Sequence, residues 1–389
     1  MKKLMLLNSV VLALSTFATP AISNLKVTPI EPLGIAIDFT VSGATDMSLD
    51  KERQLAVSMT LNGKDYFAQT LVGSTNCLNG AHRVYWNMAK DGLSVDLSDA
   101  SLTVMYRYPL YCVINLSDGS TANGYTVTYM KAPPKDGFNT TEYKTTKLVL
   151  KRVDPGIFTM GDSDARDFTS LENNNWPHTV ALTKSFYMGL YEVTQKQWEL
   201  VMGSGLRSST GDGAGEEYPA YYVSYDMIRG ASDGSKWPAT NTVDSSSFLG
   251  KLRDRTKMNF DLPTEAQWEY TCRAGSTTKY SYGDSADGDY MWYKGNASKS
   301  QTVGAKKPNA WGFYDMHGNV FEACLDWYVI LEDDEADPHG PSSSSEGRVY
   351  RGGCWNIDAT YCASSFRENA SDTSASSHLM GFRLAMPIQ

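Results

Sequence analysis

The sequence is poor in the residues that several large functional classes need. Basic residues do not exceed acidic ones: 35 Lys and Arg stand against 44 Asp and Glu, a formal charge of −9. A chain that tracks nucleic-acid phosphates carries the opposite balance, so no nucleic-acid partner is expected. Histidine is scarce, with 5 residues and no HxxxH spacing, and the 6 cysteines include no CxxC. A structural zinc centre and a thioredoxin-type redox pair are excluded on that spacing. Beyond the N-terminus no apolar stretch approaches the ~20 residues that cross a bilayer, so no membrane span is expected.

What is present describes a globular chain. At 389 residues it exceeds one ordinary domain of ~100–200 residues, so two domains are expected, each able to bury a core. Hydrophobic residues at 41% and charged residues at 20% rule out a disordered or fibrous chain. Aromatics reach 12%, with 23 Tyr and 9 Trp. That content suits loop-rich folds pinned by large rings, and ligand-binding surfaces.

The N-terminus reads as an export signal. Lys2-Lys3 is followed by an apolar run from Leu4 to about Phe17, and then by Ala21-Ile22-Ser23. A positive start, a short apolar core and a small-x-small site make a secretory signal over residues 1–23. A membrane anchor is the weaker reading, because Asn8 and Ser9 interrupt a run already too short to span. The mature chain is expected to begin near Asn24 and to work secreted, periplasmic or at the cell surface. Export also permits disulfides. Cys77 and Cys112 in the first third leave room for one bridge; Cys272, Cys324, Cys354 and Cys362 in the last third leave room for two.

Residues 24–135 alternate with period two, as in Gly34-Ile35-Ala36-Ile37-Asp38-Phe39 and Leu55-Ala56-Val57-Ser58-Met59-Thr60-Leu61. Turn pairs Asn62-Gly63, Asp91-Gly92 and Asp118-Gly119 punctuate them. Short strands at this spacing predict an all-β immunoglobulin- or fibronectin-like sandwich, read as a spacer or docking module. Pro133-Pro134 and Gly137 mark the boundary, with residues 136–147 as linker. Beyond it, short helices announce themselves. Thr194 with Gln197, and Thr264 with Gln267, have capping-box spacing, and Ser246 to about Arg255 puts Phe248, Leu249 and Leu252 on one face.

Several blocks lie in order through residues 148–389. They include Gly156-Ile157-Phe158-Thr159-Met160-Gly161, Tyr191-Glu192-Val193-Thr194-Gln195 and Leu262-Pro263-Thr264-Glu265-Ala266-Gln267-Trp268-Glu269-Tyr270. Then follow Pro308-Asn309-Ala310-Trp311-Gly312-Phe313-Tyr314-Asp315-Met316, Gly318-Asn319-Val320-Phe321-Glu322, Arg348-Val349-Tyr350-Arg351-Gly352-Gly353 and Gly381-Phe382-Arg383-Leu384. On these blocks the stretch resembles the formylglycine-generating enzyme, or sulfatase-modifying factor, family. The resemblance implies an α+β, C-type-lectin-like fold of low regularity.

The family's chemistry oxidises a client cysteine with copper(I) and oxygen, holding the metal on two thiolates four residues apart. Soft thiolates are what copper(I) prefers. Here the segment runs Gly352-Gly353-Cys354-Trp355-Asn356-Ile357-Asp358-Ala359-Thr360-Tyr361-Cys362. By resemblance Cys362 stands at the second ligand position and Ile357, which ligates nothing, at the first. Cys354, Tyr361 and Cys362 are the catalytic candidates, and Cys354 with Cys362 the copper candidates. Along an unbroken strand positions 354 and 357 point to opposite faces, which argues against a direct replacement. The thiol of Cys362 is left to bridge Cys324 or Cys354, or to stand buried and unbridged.

The resemblance also implies a structural calcium site on Asp315, Gly318, Val320 and Glu322, mixing carboxylate and carbonyl oxygens as a hard cation requires. The family's second ion site needs an Asn and an Asp that the region around Trp292 and Gly304 lacks, so one ion is expected. His178 and His317 read as structural, and the acidic run Glu332-Asp333-Asp334-Glu335 as a solvated loop. Two functions follow. One is a secreted oxidase of a cysteine-containing protein, opposed by Ile357. The other is a non-catalytic lectin-like receptor that presents residues 356–380 to an exported or cell-surface protein or a glycan.

Overall fold

The computed structural model describes residues 9–12, 21–30, 34–44, 53–61, 64–68, 71–73, 78–88, 90–91, 101–107, 109–162, 176–330 and 335–388. Asn62-Gly63, Cys77, Gly92 and Glu332-Asp333-Asp334 lie outside them, as does most of the stretch read as an export signal. The chain divides into two compact units, one of residues 1–110 with 128–132, the other of residues 111–127 with 133–388.

In the first unit the period-two alternation becomes strands that bury one face. Gly34–Ser42 pairs antiparallel with Ala21–Ile30 and with Gly80–Trp86; Gln54–Leu61 pairs antiparallel with Ser101–Arg107 and Lys64–Phe67. Ile35, Ile37, Phe39 and Val41 from one set share a buried cluster with Leu55, Val57, Met59, Leu102 and Val104 from the other. Ser9–Leu12, inside the presumed signal, lies parallel against Ser101–Val104.

The second unit mixes short strands and few helices. Its helices are α1 (Thr141–Thr145), α2 (Gln195–Met202), α3 (Tyr225–Arg229), α4 (Phe248–Thr256) and α5 (Glu265–Arg273). Both expected capping boxes are formed, at Thr194/Gln197 and Thr264/Gln267, and Ser247 caps α4 through the Gly250 N–H. Phe248, Leu249 and Leu252 are all buried. Two strand systems matter for the site. Lys147–Val153 is flanked by Tyr111–Asn115 and Phe186–Gly189, and the latter pairs with Ala385–Pro387, tying the end of the chain to its middle. Arg348–Arg351 lies between Phe321–Trp327 and Arg367–Ala370.

The boundary therefore falls earlier than the prolines suggest. Tyr111–Asn115, expected inside the sandwich, pairs residue for residue with Lys147–Lys151, burying Cys112 and Ile114. Nor are residues 136–147 a free linker. Phe138 packs on Tyr111 at 4.7 Å and on Tyr143 of α1 at 4.8 Å, and all three rings are buried. Prolines mark where regular structure breaks, whereas packing decides which unit a strand joins. No helix among the described residues is long and apolar enough to cross a membrane.

Candidate functional site

The site is built on the turn that follows Arg348–Arg351. Gly352 and Gly353 have φ of +92° and +77°, a conformation that bends the chain off the strand. A Cβ on Gly353 would stand 2.6 Å from the Cys362 Sγ and 2.7 Å from the Tyr361 carbonyl oxygen, so no larger residue fits. The Ile357 N–H then reaches back to the Cys354 carbonyl at 3.5 Å, and the Ile357 carbonyl accepts from the Lys294 N–H at 3.0 Å. A single 3₁₀ turn, Ala359–Cys362, completes the segment. Residues 354–362 are thus a turn and a 3₁₀ turn, and the strand alternation assumed for Cys354 and Ile357 does not apply.

Cys354 and Cys362 are both fully buried and unbridged, as are Cys272 and Cys324. The Cys362 Sγ lies 4.0 Å from the Cys354 carbonyl oxygen. Burial pushes the Cys354 and Cys272 thiols up to about 12, and raises Cys362 and Cys324 as well. A copper(I) site needs two soft thiolates, and a bound metal would itself draw off their protons, so the number and placement of the thiols decides the fit. With Ile357, which offers no ligand atom, in the first position and an enclosed Cys362 in the second, these residues do not fit the metal.

Tyr361 points elsewhere. It lines a cleft of about 850 Å³, together with Phe366, Thr159, Arg273, Lys279 and Asp284. Its ring meets Phe366 edge-on at 5.2 Å. Beneath the cleft runs a buried ladder of alternating charge along one side of α5. Arg273 donates to Glu269 at 2.8 Å; Arg351 joins Glu269 to Glu265; Arg367 grips Glu265 at 2.6 and 2.8 Å. Burial alone would raise the Glu269 carboxyl, but Arg273 and Arg351 outweigh it and hold it below the usual carboxylate range.

His317 fixes the turn from the other side. Its Nδ1 is 2.7 Å from the Cys362 carbonyl oxygen, so that nitrogen donates, and Nε2 accepts from the Ser281 N–H and hydroxyl at 3.2 and 2.9 Å. Burial lowers its pKa to about 4, which keeps the ring neutral. The end of the 356–380 interval returns to the same region. The His378 ring lies 5.8 Å from Trp355 and 6.0 Å from Tyr222, and Tyr222 donates its N–H to the Ser377 carbonyl at 2.8 Å.

The expected calcium residues divide. Both oxygens of Glu322 are engaged: Arg383 donates at 2.5 and 2.6 Å and the Trp268 indole at 2.7 Å. Asp315 takes the Gly304 N–H on Oδ2 at 2.6 Å, while its buried Oδ1 has no partner among the described residues. Gly318, at φ +81°, presses its backbone on Trp292, and Val320 donates its N–H to Glu192 at 3.2 Å. Glu192 itself was not singled out as a ligand, although it stands in the Tyr191–Gln195 block. It is fully enclosed, binds Asn319 at 2.7 Å, and has its pKa raised well above the usual range by burial, Asp315 and Glu322. Three carboxyls thus face one guanidinium. Among the described residues no three His, Cys, Asp or Glu side chains converge into a metal centre by themselves, so an ion here would need backbone carbonyls.

Comparisons with known proteins agree on the second unit. A family model described as the sulfatase-modifying factor enzyme 1-like domain matches residues 137–388. The mouse formylglycine-generating enzyme is 26% identical over 287 residues, covering 61% of this chain and 76% of that protein. The chaperone protein LppX of Paenibacillus barcinonensis is 28% identical over 202 residues, covering 44% of this chain and 69% of that one. Among solved structures, Treponema denticola variable protein 1 superposes with a TM-score of 0.50 at 28% identity, over 62% of this chain and 95% of its own.

Proposed function

The chain belongs to the sulfatase-modifying factor enzyme 1-like family, and from that premise we propose that it is an exported, non-catalytic member that binds a ligand. The carrying observation is where the side chains of the Cys354–Cys362 turn go. Both thiols are enclosed, and only Tyr361 of the three catalytic candidates lines the cleft. A surface that offers rings and charges but no thiolate suits recognition rather than copper oxidation. The cleft beside Tyr361 and the 356–380 segment would receive an exported or cell-surface protein or a glycan. The first unit serves as an immunoglobulin-like spacer, and cleavage near Asn24 would remove Ser9–Leu12. One calcium ion at Asp315 would offset the surplus carboxylate charge there, with Glu192 in support and Glu322 held by Arg383.

The test separates binding from oxidation. The mature chain is supplied with calcium, copper(I) and oxygen, and offered a peptide containing Cys-x-Pro-x-Arg. We expect no thiol-to-aldehyde conversion by mass spectrometry and no copper retained after desalting. Turnover that disappears in Cys362→Ser would overturn the reading and make Cys354 the next residue to replace.

A further inference from the structure

A second cavity, of about 230 Å³, lies on the other side of the Gly156–Met160 and His178–Leu182 hairpin. Thr159 and Pro177 line the large cleft, while their neighbours Met160 and His178 line this one. That is the alternation a strand imposes. It is smaller than the ~300–1,000 Å³ of sites for drug-sized ligands, and so suits a single side chain or a small molecule.

Its polar lining is made of hydrogen-bond acceptors. Asp326 is 5% exposed; its Oδ2 takes the Glu265 N–H at 2.8 Å, and Oδ1 has no hydrogen-bond partner among the described residues. That oxygen lies on the Gly340 side, 3.7 Å from where a Cβ on Gly340 would stand, and Gly340 also lines the cavity. His178 is 7% exposed, and its Nδ1 donates to the Trp176 carbonyl at 2.8 Å. In the neutral ring Nε2 is then an acceptor. Glu335 stands exposed at the rim. The remaining carboxylate, Glu265, is neutralised by Arg367, and the nearby Arg348 is engaged by the Leu325 and Ser235 carbonyls at 2.6 Å each. Arg348 donates to neutral carbonyls and keeps its charge, so it and Arg367 both act on Asp326, and Glu335 is the lining carboxylate without an ion pair among the described residues. The walls beside them are apolar: Val329, Pro338 and Ile330, the last 52% exposed.

We propose that this cavity binds an alkylammonium group, the chemistry shared by a lysine side chain of a partner protein and a free primary amine. An ammonium brings three donors and no acceptor, matching the Asp326 Oδ1, the Glu335 carboxylate and the His178 Nε2. Its aliphatic stem lies against Ile330 and Val329, as long cationic side chains cover apolar surface elsewhere. The site is independent of the cleft beside Tyr361, so failure of either reading leaves the other standing.

Titration calorimetry on the full chain tests it with n-butylammonium, neutral n-pentanol, butyrate and Nα-acetyl-lysine methylamide. We expect both amines to bind and butyrate and pentanol not to. Asp326→Asn, which keeps an oxygen for the Glu265 N–H, should weaken amine binding more than about tenfold. Glu335→Gln, at an exposed position that does not hold the fold, should weaken it several-fold. A blocked lysine that binds tighter than butylammonium identifies a partner's side chain as the source; the reverse order identifies a free amine. Pentanol binding as well as the amines would overturn the proposal, as would no amine binding at millimolar concentration. Amine binding unchanged in Glu335→Gln and in folded Asp326→Asn would also overturn it.

Discussion

At the scale of single residues, Gly353 shows how closely the turn is drawn. Its φ of +77° is a region L side chains avoid, and a methyl group there would meet the Cys362 Sγ at 2.6 Å and the Tyr361 carbonyl at 2.7 Å. Left-handed backbone costs a non-glycine residue about 1–2 kcal/mol, and forcing a methyl into a filled core costs about 1–3 more. Gly353→Ala should therefore lose about 2–5 kcal/mol of unfolding free energy in urea. Adding Cys362→Ala should restore only part, because the clash with the Tyr361 carbonyl remains. A Gly353→Ala protein as stable as the parent would show that the turn can relax. The same scale explains why the thiols were legible as positions and not as environments. The spacing of Cys354 and Cys362 is visible in the chain, but their enclosure depends on contacts such as that of His317 with the Cys362 carbonyl, which comes from a separate segment.

At the scale of elements, the helices were the most readable part, because a cap is a local contract between residues three apart. Thr264 accepts the Gln267 N–H at 3.2 Å while Gln267 accepts the Thr264 N–H at 3.0 Å, as their spacing predicted. Strands were less readable. Tyr111–Asn115 looks like its neighbours in the first unit, yet its hydrogen bonds go to Lys147–Lys151, a partner no local pattern names. Extending Arg348–Arg351 through Cys354 failed for a different reason, since Gly352 and Gly353 end it. Because α5 carries Glu265, Glu269 and Arg273, its first turn positions the whole charge ladder. Thr264→Ala should cost about 1 kcal/mol, measured as a shifted urea midpoint at unchanged slope, and Thr264→Ser should regain most of it. An unshifted midpoint in the alanine variant would mean that Asp326, through the Glu265 N–H, caps the helix alone.

At the scale of the molecule, the second unit encloses three carboxyls, Asp326, Asp315 and Glu192, that hold their protons more tightly than the unfolded chain does, and its stability should record that. Burial, and then Glu265, lifts Asp326 to about 7; burial lifts Asp315 to about 6; Glu192 is raised further by burial, Asp315 and Glu322. The folded state keeps these protons where the unfolded chain, with Asp near 3.9, has released them. Stability from such groups is complete below about pH 4 and is lost as pH rises through 6 and 7. Carboxyls held low act in the opposite sense, but Glu269 and the exposed Asp38 and Asp254 complete their change at lower pH and contribute a constant above pH 5; His317, held near 4, does add stability as pH rises toward 6.5, one group against the three raised carboxyls. Urea unfolding should therefore give a smaller free energy at pH 7.5 than at pH 5. A calcium ion at this site needs the Asp315 carboxylate ionised, so it should recover part of that loss at pH 7.5 and little at pH 5, where Asp315 holds its proton. Asp315→Asn should abolish the calcium effect while leaving the Asp326 part of the slope in place. Equal stability at both pH values without calcium would show that the cluster is balanced by cations already in the fold. A pH loss that calcium leaves untouched would place its origin at Asp326, the carboxyl that lines the alkylammonium cavity.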